Sequence, residues 1–204
     1  MLEKFLYACP ECKTFDALHT AKNRPTACSS CGAEFSFDGR RNLVSSKTKR
    51  ARTLHQWYEE INRLRLTDER GAPPGFQKKE GEVFRTTSKK AELFREEPAG
   101  MFRGHGNLRA RLYPFKKIDV GTLSLTNLRL VFTGEKTHDI GLGELSSVTI
   151  ESHMVITNTK RGHAFSFEFL EESGKKWEDL IRHEVDDFYP GKRVVEYQPR
   201  IIFG

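Results

Sequence analysis

All four cysteines of the 204-residue chain lie near its start, as Cys9, Cys12, Cys28 and Cys31, and spell C-x2-C-x15-C-x2-C. No other feature narrows the possible folds as far. Two such knuckles can set four thiolates at the corners of a tetrahedron around one zinc ion, about 2.3 Å from each sulfur. A chain read as cytoplasmic has little use for disulfides there. Four thiolates also close the shell, so the Zn2+ expected here is structural and leaves no position for a reacting water. His19 falls between the knuckles and is not needed as a ligand. A segment this short buries too little apolar surface to stay folded alone, and metal binding, worth about 10–16 kcal/mol in finger peptides, makes up the deficit.

Pro10 and Gly32 suit the tight turns of knuckles, and Phe5, Tyr7, Phe15, Phe35 and Phe37 offer a small core. Residues 1–39 thus resemble a zinc ribbon. Beyond them, residues 40–80 read as a basic linker with an amphipathic helix. Arg40, Arg41, Lys47, Lys49, Arg50 and Arg52 lie in a stretch with no acid between Asp38 and Glu59. Of the net charge of +6, residues 1–80 carry +5, so the surplus is local. Such a run meets nucleic-acid phosphates, anionic lipid or an acidic partner, or is a solvated linker. From about Lys49 to Thr67, Leu54, Trp57, Tyr58, Ile61 and Leu64 recur at helical spacing as one apolar stripe. The stripe docks on this chain or in a groove of a protein partner. Gly71, Pro73, Pro74 and Gly75 end it.

The remainder reads as strands and one helix. Between Ile118 and Ile150, Leu123, Leu125, Leu130 and Phe132 alternate with Thr122, Ser124, Thr126, Arg129 and Val131, the period-two pattern of strands with one buried face. Thr126 and Asn127 form the turn. Leu128 breaks the alternation, which predicts a bulge with Asn127 at positive φ. Earlier strands are expected in GEVFRTT, AELFREE and LRARLYPFKK, and a last hairpin pairs Met154–Asn158 with Phe165–Phe169 around Lys160, Arg161 and Gly162. Ser173 then caps a helix to about Phe188, with Trp177, Leu180, Ile181, Val185 and Phe188 on one face and Pro190-Gly191 stopping it.

The run GTLSLTNLRLVFTG followed by DIGLGELSSVTI is similar to the core of a GRAM domain, a variety of the pleckstrin-homology (PH) fold. The matching residues are Gly121, Leu125, Thr126, Asn127, Arg129, Leu130, Phe132, Ile140, Leu142, Leu145 and Val148. Leu128 departs from the pattern, which more often has a basic residue there. The resemblance extends from about Ala91 to Tyr189, roughly half of the chain. It implies an α+β protein, in which residues 81–190 form a PH-like antiparallel barrel or sandwich capped by the C-terminal helix, with residues 191–204 as a tail. It also implies contacts to anionic lipid or another anion through Lys116, Lys117, Arg129, Lys160 and Arg161. The basic pairs Lys89–Lys90 and Arg109–Arg111 lie on or near the same strands.

No catalytic motif is present. There is no G-x-S-x-G or P-loop, Gly104-x-Gly106 and Gly141-x-Gly143 each lack a third glycine, and His183-Glu184 is not followed by a second histidine at the zinc-protease spacing. His105, His138, His153 and His163 fall at turns or strand ends. The expectation is a non-enzymatic adaptor or peripheral membrane protein, cytoplasmic, with no spanning segment. The alternatives are a nucleic-acid-binding zinc-ribbon protein and an accessory subunit of a lipid-modifying enzyme. The two cores are expected to be separate and to unfold independently.

Overall fold

The computed structural model describes residues 2–22, 24–65, 72–103, 109–151 and 153–190. Gly71, the expected helix end at Thr67, the Gly104 and Gly106 pair, His105 and the tail 191–204 lie outside the described residues, as do the side chains of Arg109 and Arg111. Among the described residues, mostly antiparallel sheets and two α-helices make the chain an α+β protein.

In the N-terminal unit, β1 (Leu18–Thr20), β2 (Thr26–Cys28), β3 (Glu34–Phe37), β4 (Leu43–Ser45) and β5 (Ala51–Arg52) form one antiparallel sheet in chain order. Helix α1 spans Leu54–Asn62 and opens with a capping box between Thr53 and Gln56. Trp57 and Ile61 on its inner face pack with Leu6, Leu18, Phe35 and Leu43, and the Trp57 indole donates to the Leu43 carbonyl at 2.9 Å. The expected boundary at residue 39 therefore falls inside a sheet. What reads as linker supplies two strands and the helix that closes the core. The helix starts at Leu54, not Lys49, because Ala51 and Arg52 pair with β4.

The larger unit begins with β6 (Phe84–Thr87) and β7 (Ala91–Glu96), followed by a separate hairpin of β8 (Gly100–Arg103) and β9 (Arg109–Leu112). Then come β10 (Phe115–Thr126), β11 (Arg129–Thr133), β12 (Thr137–Gly141), β13 (Leu145–Glu151), β14 (Met154–Thr159), β15 (Ala164–Phe169) and α2 (Gly174–Phe188). The sheet runs β12-β11-β10-β7-β15-β14-β13, with β6 also paired to β10. Its ends, β12 and β13, are not paired to each other, so hydrogen bonding does not close a barrel. Trp177, Leu180, Ile181 and Val185 of α2 join Leu123, Leu125, Leu130, Phe132 and Phe167 in one apolar core. Gly121 is required where β10 crosses β11, since a Cβ there would lie 2.0 Å from the Thr133 carbonyl oxygen.

Two local expectations are corrected. Asn127 is not among the residues with positive φ. Instead Thr126 Oγ1 accepts from the Leu128 and Arg129 amides at 3.1 and 3.0 Å and turns the chain without a left-handed residue. The β10–β11 register runs unbroken, and the irregularity lies where Leu125 and Thr126 meet β6. The other correction concerns the face expected to be polar and solvated: Ser124, Thr126, Arg129 and Val131 are buried. Residues 76–82 cross that face. Gln77 offers its carbonyl to Arg129 at 2.8 Å, and Glu82 takes the Arg129 Nε at 2.7 Å and the Thr126 hydroxyl at 2.8 Å.

Burial by itself raises the Glu82 carboxyl, but hydrogen bonds from Arg129, the Lys79 amide and Thr126 outweigh it and lower the group to about 2. A pKa depressed below the ordinary carboxylate value adds stability that is complete above about pH 4.5 and disappears as pH falls towards 2. Glu82→Gln is therefore expected to cost about 3 kcal/mol at pH 7 and to flatten the acid limb of the stability curve. Urea melts at pH 7 and pH 3 check this. Parallel curves for both proteins would remove Glu82 as the origin.

Candidate metal centre and charged surfaces

The sulfurs of Cys9, Cys12, Cys28 and Cys31 all lie within 4.8 Å of one another, with Cys9 to Cys31 at 3.8 Å and Cys12 to Cys28 at 3.7 Å. A tetrahedron with metal–sulfur bonds of about 2.3 Å has edges of about 3.8 Å. A disulfide needs about 2.05 Å. The arrangement fits a four-thiolate metal site and no disulfide pairing.

Two turns of the same design present these thiolates. Lys13 N donates to Cys9 O and Gly32 N to Cys28 O, at 2.8 and 2.9 Å. Cys9 N and Cys28 N donate in turn to Thr14 O and Ala33 O, each at 2.9 Å. Both turns need a left-handed residue after the second cysteine, supplied by Gly32 at φ 71° and by Lys13 at φ 64°. Lys13 bears that strain while its ammonium holds the Pro10 carbonyl at 2.7 Å. Aligning the two knuckles exposes this position, which the sequence reading missed.

Asp16, just past the first knuckle, reaches α2. Its carboxylate is 2.6 Å from Lys176 Nζ, and the same ammonium meets Glu172 at 2.6 Å. Lys4 donates to the Glu172 carbonyl at 3.0 Å, and the Ser173 hydroxyl donates to Lys4 O. Tyr58 of α1 donates to Asp179 at 2.8 Å, while Lys175 lies over the Tyr58 ring at 5.0 Å. Desolvation first, then the Asp179 charge, pushes the Tyr58 phenol up to about 12, although Lys175 opposes the shift. A second face of α2 is thus covered by the N-terminal unit through charged and polar groups.

The five cations expected at an anion are not brought together. Lys116 and Lys117, near the start of β10, face Glu97 at 2.9 Å and Glu92 at 3.3 Å. Arg129 follows the far end of that 12-residue strand, which rises about 3.4 Å per residue. It is 9% exposed and held by Glu82 and Asp139, so it presents no free charge at the surface. At the β14–β15 turn, Lys160 donates to Gly143 O and Tyr189 Oη, each at 2.8 Å, and Arg161 lies 3.9 Å from Glu144. The turn amides between β11 and β12 are also engaged: Asp119 accepts from Glu135 and Lys136 at 3.2 and 3.1 Å. Gly134 makes room for it, since a Cβ there would lie 2.5 Å from Asp119 Oδ1.

The six basic residues of the expected linker are also dispersed. Arg40 and Arg41 occupy the β3–β4 turn, while Lys47 and Lys49 occupy the β4–β5 turn at the other end of β4. Arg50 and Arg52 lie over the Trp57 ring at 5.0 and 5.5 Å and both pair with Glu60. No described helix is long and apolar enough to cross a membrane.

No family model and no curated protein matches the chain. Among solved structures, it is similar to the C-terminal domain of an unknown protein from Leishmania infantum, with 12% identity and a TM-score of 0.31 over 52% of this chain and 86% of that one. It is also similar to the N-terminal PH domain of the human ARAP2 protein, with 13% identity and a TM-score of 0.33 over 55% of this chain and 90% of that one. Likeness this remote carries no argument about function.

Proposed function

We propose that the chain is a non-enzymatic adaptor: a zinc ribbon fixed against a GRAM/PH-like domain that binds a protein partner. Zinc, with a thiolate bond of about 2.3 Å, fits the sulfur tetrahedron, and a shell of four thiolates gives it a structural role. The PH-like reading rests on the GRAM-like residues, which form β10 to β13, and on helix α2, which follows β15 and joins the core. The observation that carries the adaptor reading is the state of the expected cations. Each already has a carboxylate, carbonyl or hydroxyl of this chain within 3.9 Å.

Vesicle sedimentation at low salt tests this. Exposed cations that do reach anionic lipid contribute about 1 kcal/mol each, too little for stable attachment by so few. The expected result is equally poor sedimentation with phosphatidylserine and phosphatidylcholine vesicles, unchanged by reversing Lys116 and Lys117. Salt-sensitive binding to the anionic vesicles alone, lost on that reversal, would establish the peripheral-membrane reading in its place.

A further inference from the structure

We infer that Thr14 is a positioning residue of the metal centre: in the loaded site its hydroxyl donates to the Cys12 thiolate, and Ser30 of the other knuckle donates to Thr14 in turn. This rests on the zinc reading above and names residues that hold its thiolates. Cys9 and Cys28 are buried and Cys31 is half-buried, whereas Cys12 is exposed. An exposed thiolate stands open to water and to electrophiles, so its neighbours matter most. Cys12 Sγ lies 3.2 Å from Thr14 Oγ1, and Thr14 Oγ1 lies 3.2 Å from Oγ of Ser30, which sits between Cys28 and Cys31. Cysteine binds a metal as the thiolate, which has no proton to give. The proton in the first contact therefore belongs to the Thr14 hydroxyl, and with that proton committed Thr14 can only accept from Ser30. A relay of two hydroxyls thus runs from the second knuckle to a sulfur of the first.

The two knuckles provide an internal comparison. Thr14 and Ala33 occupy the same place, two residues after Cys12 and Cys31, and each offers its carbonyl to the amide of the first cysteine of its knuckle at 2.9 Å. The second knuckle makes this turn with a methyl group, so the fold needs no hydroxyl at that place. Ala33 is buried in the N-terminal core, while Thr14 is exposed and its hydroxyl meets Cys12 and Ser30 rather than the backbone of its own turn. The second knuckle relies on a backbone donor, the Cys31 amide, 3.5 Å from Cys28 Sγ. Charge gives the Thr14 hydroxyl its use. Four thiolates outweigh the charge of a divalent cation, and each charge-assisted hydrogen bond to sulfur spreads that excess and fixes the direction of the thiolate. Removing such a partner costs about 10- to 100-fold in metal affinity.

The probe is cobalt(II), titrated into the metal-free full chain against a competing chelator while thiolate-to-cobalt charge-transfer absorption is recorded. In Thr14→Val, which keeps the shape of an exposed side chain and removes its hydroxyl, affinity is expected to fall about 10- to 100-fold. The charge-transfer band should move to lower energy, because a sulfur without its donor gives up an electron more readily. Thr14→Ser should restore both, and Ser30→Ala should lose less than Thr14→Val. Iodoacetamide should alkylate Cys12 of the loaded chain sooner in Thr14→Val than in the parent, and ahead of Cys9 and Cys28. An unchanged band and affinity in Thr14→Val, or equal losses in Thr14→Ser, overturn the inference and leave the zinc reading in place. A Thr14→Val chain that takes up no cobalt overturns it as well, since Thr14 would then be needed for the turn to fold. Failure of the zinc reading appears separately, as a parent chain with no charge-transfer absorption, and overturns both.

Discussion

Removing the metal from the four-cysteine site is expected to unfold the N-terminal unit and to loosen α2 with it. The first part follows from size: the unit has one small core around Trp57 and Phe35, and structural zinc is worth about 10–16 kcal/mol at such sites. The second follows from what the unit covers. The apolar cores are separate clusters, as expected from the sequence, which suggests independent unfolding. Yet Lys176 is buried, and Asp16 from the knuckle is one of its two carboxylate partners. Asp179 likewise loses the Tyr58 hydroxyl when α1 detaches. Stripping one partner from a buried charge costs about 3–5 kcal/mol where no other group replaces it, and Glu172 and Lys175 remain, so the effect on α2 falls below that range. Trp57 and Trp177 are the two tryptophans, one in each core, so Trp57→Phe and Trp177→Phe give separate fluorescence reporters. During titration with a zinc chelator, the Trp57 signal should collapse and the thermal midpoint read by Trp177 should fall. Cys28→Ser should do the same without chelator. An unchanged Trp177 midpoint would show that α2 does not depend on the N-terminal unit.

The features legible in the sequence were those carried by local spacing. The knuckles announce themselves because four thiolates at one metal must come from closely spaced pairs, and the sulfurs do meet. Leu123, Leu125, Leu130 and Phe132 were legible because β10 and β11 are long enough for period two to register. Strands β4 and β5 are not: with three and two residues they carry no period, and a basic run over them reads as linker. The stripe on α1 was visible, but not which surface it meets, since Phe35 and Leu43 are known as its partners only once the sheet is formed. Arg129 shows the limit most clearly. An arginine in an alternating strand reads as solvent-facing, and the residue that buries it, Glu82, lies 47 positions earlier with no spacing rule to connect them. Charge pairing across such separations leaves no mark in the local spacing of a sequence.

Trp177→Ala is expected to destabilise the larger unit by about 3–5 kcal/mol, the range for deleting a large buried aromatic. Trp177 is fully buried and stacks on Phe169 with centroids 4.9 Å apart and planes 4° from parallel. Part of the loss comes from its indole, which donates to Glu172 Oε2 at 3.3 Å. Trp177→Phe keeps most of the ring contact and removes that donor. Glu172 is still held by Lys176 and by the Lys89 amide, so the phenylalanine variant should lose only about 1 kcal/mol. Urea melts followed by far-UV circular dichroism measure both. Near-equal losses in the two variants would place the energy in the hydrogen bond, and an alanine loss under about 1 kcal/mol would mean α2 is not packed on the sheet. Because Glu172 also shares Lys176 with Asp16, the alanine variant should further weaken the hold of the N-terminal unit on α2. Combining Trp177→Ala with Asp16→Asn should then cost less than the sum of the two, as residues sharing a partner are not additive.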